Sequence, residues 1–277
     1  MIYFYIVLSA VFMLVLNNFY DIFHRSYSWW LIPVMFIGIV LVLVIIQLLI
    51  FGLMILCTDV KKERKHSSKV FRAMAKISLP FIAAAARVKI HAEGVEKLPD
   101  DTRVMMVCNH QHDFDPVIMY LTFPDAKLAF IGKKEIYTTM PFIAKAMHKL
   151  DCMPIDREND RQAALTIIKA IKTIKEDRAS IAIFPEGYTS ISCELLPFRN
   201  GCFKIATKSG CPIAVCTINN TREILKNIFR RKTVVEFRLL DVIYPEEFKD
   251  MNTSEIGNKI HKMMQDSLEE LKGLSKK

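Results

Sequence analysis

The chain has 277 residues, 52% of them apolar, and carries 38 basic against 29 acidic side chains, a formal net charge of +9. That is enough apolar material to build one large core and also to fill lipid, in one or two folding units. The basic excess raises nucleic acid as a partner, but no zinc-finger spacing, helical repeat or Arg/Gly tail accompanies it, so no nucleic acid is expected.

Residues 1–58 are strongly apolar, interrupted chiefly at Asn17 to Asp21 and His24 to Ser26. Trp29 to Cys57 holds no charge; as a helix it would be about 43 Å long, enough to cross a bilayer. Met1 to Leu16 would reach only about 24 Å and needs residues up to Ile22 to span. A membrane-anchoring helical hairpin is expected over 1–58. A cleavable signal peptide fits poorly, because no Lys or Arg precedes the first apolar run and a longer one follows it. Lys61, Lys62, Arg64, Lys65, Lys69, Arg72 and Lys76 crowd the exit, against Arg25 alone in the short loop, which places residues 59 onward on the cytoplasmic side of the cell membrane. Residues 59–87 read as a basic, partly amphipathic juxtamembrane segment, with Pro80 interrupting any helix there and core packing as the competing account of its apolar residues.

From 88 to 277 short apolar runs alternate with helical patterns. Strands are expected at Val88 to Ala92, Arg103 to Cys108, Leu128 to Ile131, Cys152 to Ile155, Ala179 to Phe184, Pro212 to Ile218 and Val234 to Val242. Helices are expected at Pro116 to Leu121, Glu135 to His148 with a break at Pro141, 160–176, Cys202 to Lys208, and Thr253 to Leu271. The last has Asn252 and Glu255 spaced as a capping pair, and Ile256, Ile260, Met263, Ser267, Leu268 and Leu271 facing inward. This alternation argues an α/β fold, a mostly parallel or mixed sheet flanked by helices, with ligand groups gathered at strand ends.

Four polar clusters follow strand-like runs: His110 with Asp115, Arg157, Glu186 with Gly187, and Arg199 with Lys204. His110 and Asp115 would stand about 17 Å apart in a strand, and about 7.5 Å along a helix with poor facing. A turn is needed to join them, and Asp115 as N-cap with Pro116 at the first helical position offers one. The pair reads as a histidine base oriented by an aspartate, and equally as a polar loop capping a helix, with Asp113 as a rival partner. His110-x-His112 followed by acids is also ligand chemistry, but no second His/Cys cluster lies downstream, so no metal is expected. Arg157 reads as a surface ion-pair residue as readily as a ligand. A further basic cluster, Arg222, Lys226, Arg230, Arg231 and Lys232, would attract anionic headgroups. Seven cysteines without a C-x-x-C pair suit a reducing compartment.

Taken together, Asn109-His110-Gln111-His112-Asp113-Phe114-Asp115, Met153-Pro154-Ile155-Asp156-Arg157, Phe184-Pro185-Glu186-Gly187 and Cys211-Pro212-Ile213-Ala214-Val215 resemble, in order, the four blocks of the glycerolipid acyltransferase family, and specifically its 1-acylglycerol-3-phosphate acyltransferases. The likeness runs from about residue 88 to 243. It implies transfer of a fatty acyl group from acyl-CoA or acyl carrier protein to a lysophospholipid hydroxyl, with lysophosphatidate as acceptor, membrane phospholipids as surroundings and no bound cofactor. It implies His110 as general base, Asp115 as its orienting partner, Arg157 as a phosphate ligand, and Glu186 and Gly187 as shaping the acceptor site. The third block departs from the family's F-P-E-G-T-R-S: Tyr188 and Thr189 stand where threonine and arginine are usual. Arg199 and Lys204 are nearby cations able to replace that charge. Donors to a tetrahedral oxyanion are expected from backbone groups near a helix start. A tethered hydrolase lacks G-x-S-x-G, and a silent adaptor is at odds with an intact His110/Asp115 pair.

Overall fold

The computed structural model describes residues 2–20, 30–60 and 68–274. Two compact units result, Met1–Cys57 and Thr58–Lys277. In the first, α1 (Ile2–Tyr20) packs against α2 (Leu31–Leu56). Tyr5, Ser9 and Met13 recur at a spacing of four and are buried, whereas Ile37, Leu41, Leu49 and Leu53 on α2 stay exposed. An apolar helix with so little buried suits lipid better than a protein core. Among the described residues α2 is long and apolar enough to cross a membrane, which is consistent with membrane association. The expected loop, with Arg25, and the exit residues Lys61, Lys62, Arg64 and Lys65 lie outside the described residues.

The second unit opens with α3 (Lys69–Ala85), whose Ser68 side chain accepts the Phe71 N–H at 3.2 Å. The expected break at Pro80 does not occur. The proline φ is compatible with a helix, so the ring removes one N–H bond without ending it. Phe71, Ala75 and Ser78 are buried, and the helix packs on β1 (Val88–Glu93) and α4 (Asp115–Thr122), whereas Val70 and Ile82 stay exposed.

Seven strands form one mixed sheet: β1, then β2 (Met105–Cys108), β3 (Leu128–Lys133), β4 (Met153–Ile155), β5 (Ser180–Ile183), β6 (Ile213–Asn219) and β7 (Thr233–Ile243). Their spatial order is β1-β7-β6-β2-β5-β3-β4. β6, β2, β5, β3 and β4 run parallel; β7 is antiparallel to β6 and parallel to β1. β2 and β5 are buried throughout, as unbroken apolar strands should be, while edge strand β1 alternates.

Between strands lie α5 (Lys134–Thr139), α6 (Pro141–Lys149), α7 (Asp160–Lys175), α8 (Lys204–Ser209) and α9 (Glu223–Asn227), and after β7 come α10 (Pro245–Phe248) and α11 (Thr253–Leu274). Asn252 caps α11 as its spacing with Glu255 implies: its side chain accepts the Glu255 N–H at 3.0 Å, and Glu255 accepts the Asn252 N–H at 2.7 Å. Met264, rather than Met263, is the fully buried methionine; Met263 packs at the core's margin. The parallel direction brings the C-terminal ends of β2, β3, β4, β5 and β6 to one edge of the sheet, where the polar clusters emerge.

Candidate active site

The loop after β2 is pinned to its neighbour by alternate side chains. Asn109 donates to the Ile218 carbonyl at 2.9 Å and accepts the Ile218 N–H at 2.8 Å. Gln111 donates to Asn219 Oδ1 at 3.3 Å and accepts the Asn220 N–H at 3.1 Å. Between them His110 is held on every side. Its N–H donates to Glu186 Oε1 at 2.6 Å, its carbonyl accepts the Ser190 N–H at 2.8 Å, and its ring stacks on Phe184 at 4.2 Å.

Asp115 is fully buried, and its Oδ2 lies 2.8 Å from His110 Nδ1. The same oxygen accepts the N–H of Gln111 at 2.7 Å and of His112 at 2.8 Å. Phe114, not Asp115, occupies the N-cap of α4; the carboxylate closes its own upstream loop instead of capping the helix. A carboxylate can only accept here, so Nδ1 carries the hydrogen and a neutral ring offers Nε2 as base. Asp113 is exposed and does not compete. His112 Nδ1 accepts the Phe114 N–H at 3.2 Å, so this second histidine serves the loop. Among the described residues of this loop, the N–H groups of His110, Gln111, His112, Phe114 and Asp115 are engaged within the site and so are not free to serve as the oxyanion donors expected near a helix start. Cys108 is buried beneath the loop, and desolvation pushes its thiol well above the usual range, so it is no nucleophile.

Glu186 joins two segments: Oε1 takes the His110 N–H and Oε2 takes the Leu196 N–H at 2.9 Å. Burial pushes its carboxyl up to about 7, against the opposing effect of those two donors. Gly187 has φ +75°, and an added Cβ would come within 3.1 Å of the Arg199 side chain. Its lack of a side chain therefore seats Arg199 as well as permitting the turn.

Arg199 does not follow a strand, as its sequence setting suggests. It ends the long loop after β5, its N–H returning to the Pro185 carbonyl at 2.8 Å. Its Nη1 donates to the Arg157 carbonyl at 3.0 Å and its Nη2 to the Tyr188 hydroxyl at 3.3 Å. The Arg157 and Arg199 guanidiniums each lie 5.4 Å from the Tyr188 ring centre. Burial lowers the pKa of Arg157, and Arg199 nearby acts in the same direction. The sequence marks Tyr188 only as a departure within the third block, an aromatic in place of a small residue, and assigns it no role.

These two arginines border a cavity of about 640 Å³. Its apolar wall comes from α7, with Ala164, Ile167 and Ile171, and Lys204 and Lys208 on α8 lie along it. Lys204 is exposed, and no side chain of the His110 loop touches it through a hydrogen bond among the described residues. Phe184 lines the cavity and also stacks on His110, so it links the cavity to the His110 loop. Among the described residues no cluster of His, Cys, Asp or Glu is arranged to hold a metal ion.

The family profile described as Acyltransferase matches residues 89–219. The 1-acyl-sn-glycerol-3-phosphate acyltransferase of Borreliella burgdorferi is 32% identical over 202 residues, covering 71% of this chain and 78% of that one. The chain belongs to the glycerolipid acyltransferase family. The Saccharomyces cerevisiae protein of the same name is 25% identical over 78% of this chain and 71% of its own length. The crystal structure of the LPA acyltransferase from Thermotoga maritima shares the fold, with a TM-score of 0.58, 24% identity, and coverage of 74% of this chain and 84% of that one. Glycerolipid acyltransferase membership makes this chain an enzyme of acyl transfer, acting on lipid with donors of the acyl-CoA or acyl-ACP type.

Proposed function

We propose that the protein transfers a fatty acyl group from acyl-CoA or acyl-ACP to the sn-2 hydroxyl of 1-acyl-sn-glycerol-3-phosphate, giving phosphatidic acid. His110 Nε2 takes the hydroxyl proton as the oxygen attacks the thioester carbonyl. The tetrahedral adduct collapses with loss of the thiolate, which recovers the proton from the imidazolium. Asp115 fixes the tautomer and supports the developing positive charge. No acyl-enzyme forms, in keeping with the inert Cys108. Arg157 binds the acceptor phosphate, with Arg199 and Lys204 adding charge along the cavity, and Glu186 and Gly187 shape the site through the contacts described above.

The observation that carries this reading is the 2.8 Å His110–Asp115 pair set beside a cavity that is apolar along one wall and cationic at its border. In keeping with the sequence, residues 1–58 serve as the anchor, 59–87 as the juxtamembrane segment and 88–277 as the catalytic domain, on the cytoplasmic side. Thr189 favours a second reading, an acyltransferase for a lysophospholipid with a larger headgroup, whose phosphodiester demands less positive charge. Purified protein given one long-chain acyl thioester and a panel of acceptors decides between them. The panel holds glycerol-3-phosphate, lysophosphatidate, lysophosphatidylcholine and lysophosphatidylethanolamine. The highest kcat/KM is expected for lysophosphatidate; a higher value for another acceptor overturns the substrate.

A further inference from the structure

We propose that Arg222 is a ligand for the acceptor phosphate, taking the place that a cation at position 189 would fill. This rests on the phosphate-bearing acceptor proposed above and adds to it a residue outside all four sequence blocks.

By sequence Arg222 belongs with the surface group of Lys226, Arg230, Arg231 and Lys232. The fold separates it from them: those four are exposed, whereas Arg222 is half-buried and turned toward the site. It lies just beyond β6, in the turn that Gln111 pins to the His110 loop through Asn219 and Asn220. Arg222 Nη1 donates to the Ser190 carbonyl at 3.0 Å, and the Ser190 N–H donates to the His110 carbonyl at 2.8 Å. The guanidinium is therefore two hydrogen bonds from the backbone of the candidate base.

Residues 188–190 are thus met by three guanidiniums. Arg157 and Arg199 stack on Tyr188, and Arg222 is tied to Ser190. The Cα atoms of Tyr188 and Ser190 can be no more than about 7 Å apart. Thr189, between them, carries no charge. A guanidinium has five N–H donors, and this one spends a single donor on a carbonyl. No carboxylate among the described residues forms an ion pair with it; neighbouring Glu223 is taken by Lys226 at 2.6 Å. Glu186, an acid of the site, is bound by two backbone N–H groups. Arg157 and Arg199 oppose each other's charge, Arg222 adds a third guanidinium through Ser190, and a phosphate monoester with up to two negative charges suits that setting.

The rival role is a buttress: Arg222 would only hold Ser190 and, through it, His110. Steady-state kinetics of the full-length protein in lipid vesicles separate the two. Lysophosphatidate and the acyl thioester are titrated independently for wild type, Arg222→Gln, Arg222→Lys and Arg222→Gln with Thr189→Arg. A monoacylglycerol serves as the phosphate-free acceptor. Arg222→Gln should raise the acceptor KM about tenfold or more, leave the donor KM within about twofold, and narrow the preference for lysophosphatidate over monoacylglycerol. Arg222→Lys should lose less, and Thr189→Arg should recover most of the acceptor KM.

A fall in kcat with unchanged acceptor KM identifies the buttress and overturns the proposal. So does a rise confined to the donor KM, which would assign Arg222 to the phosphates of the coenzyme or carrier. Failure of Thr189→Arg to recover the acceptor KM overturns the shared place. Arg157→Ala, run in parallel, tests the reading beneath: a lost acceptor KM there with none at Arg222 removes only Arg222, whereas a wild type that does not prefer lysophosphatidate removes both.

Discussion

Around His110 each contact restrains a different degree of freedom. Asp115 sets the ring's tautomer, Phe184 its plane, and Glu186 with Ser190 the position of the backbone. Replacing His110 by Ala should lower kcat by roughly 10² to 10⁴ while the fold survives, since a positioned base contributes that much. A folded variant with wild-type turnover at saturating substrates would remove the base from this position. Asp115→Asn should also cost turnover, because an amide can present N–H to Nδ1 and favour the wrong tautomer. It should also lower stability, since Oδ2 accepts two backbone N–H groups as well.

Glu186 should make stability depend on pH. Its carboxyl stands near 7 in the fold against an ordinary value of 4.5, so the folded state binds the proton more tightly. The resulting stability is fully present below about 4.5 and is lost as pH rises through 7. Glu186→Gln cannot titrate, and it places an NH2 against one of the two backbone donors, a fixed penalty. Melting curves from pH 5 to 8 should therefore show wild type ahead of Glu186→Gln at low pH, with the gap narrowing as pH rises. A gap that widens would contradict the burial of this carboxyl. His110 and Asp115 were legible as a pair because they stand five positions apart with turn signals beside them. The Glu186 link was not, since it stands 76 positions along the chain from His110 and only the adjacency of β2 and β5 brings them together.

Among the elements, α3 shows how packing overrides a local signal. A proline inside a basic, apolar segment suggested an interruption, yet the helix continues because Phe71, Ala75 and Ser78 give it a face to bury. Arg72 then reaches across to the Leu128 carbonyl at 3.0 Å and the Leu150 carbonyl at 2.9 Å. It also meets Asp151 at 3.3 Å, whose other oxygen accepts from Arg178 at 2.7 Å. Asp151 thus sits nearly buried between two arginines, tying α3 to the turn before β4 and the segment before β5. Asp151→Asn keeps the shape and the tolerance for its φ of +63°, but removes the charge. Stability should fall by about 3 kcal/mol, as expected when a buried ion pair loses one partner. Chemical denaturation of the detergent-solubilised protein measures it, and a loss within experimental scatter would mean that solvent already screens the cluster. The strands β2, β5 and β6 were readable from apolar runs alone. The antiparallel placement of β7 and the return of the loop from Glu186 to Arg199 were not, because apolar runs mark where a strand lies but neither its direction nor the path of a polar loop.

For the whole molecule, sequence and structure supply complementary parts of one topology. An uncharged helix with exposed apolar side chains, α2, precedes the α/β unit that carries the candidate site. One arginine, Arg25, lies in the short stretch before α2, against seven basic residues between Lys61 and Lys76. That asymmetry is the ground for the proposed placement of residues 59 onward on the cytoplasmic side. The cysteines provide reporters already in place. Cys57 is exposed and Cys193 partly so, while Cys108, Cys152, Cys202, Cys211 and Cys216 are buried. Burial also raises the thiols of those five, which slows their reaction further. With Cys57→Ser, Cys193 becomes the accessible thiol of the catalytic unit. In sealed right-side-out vesicles a membrane-impermeant maleimide should leave it unmodified, and opening the vesicles with detergent should expose it to labelling. Modification of Cys193 in intact vesicles would invert the orientation and place the catalytic edge away from its expected acyl donor.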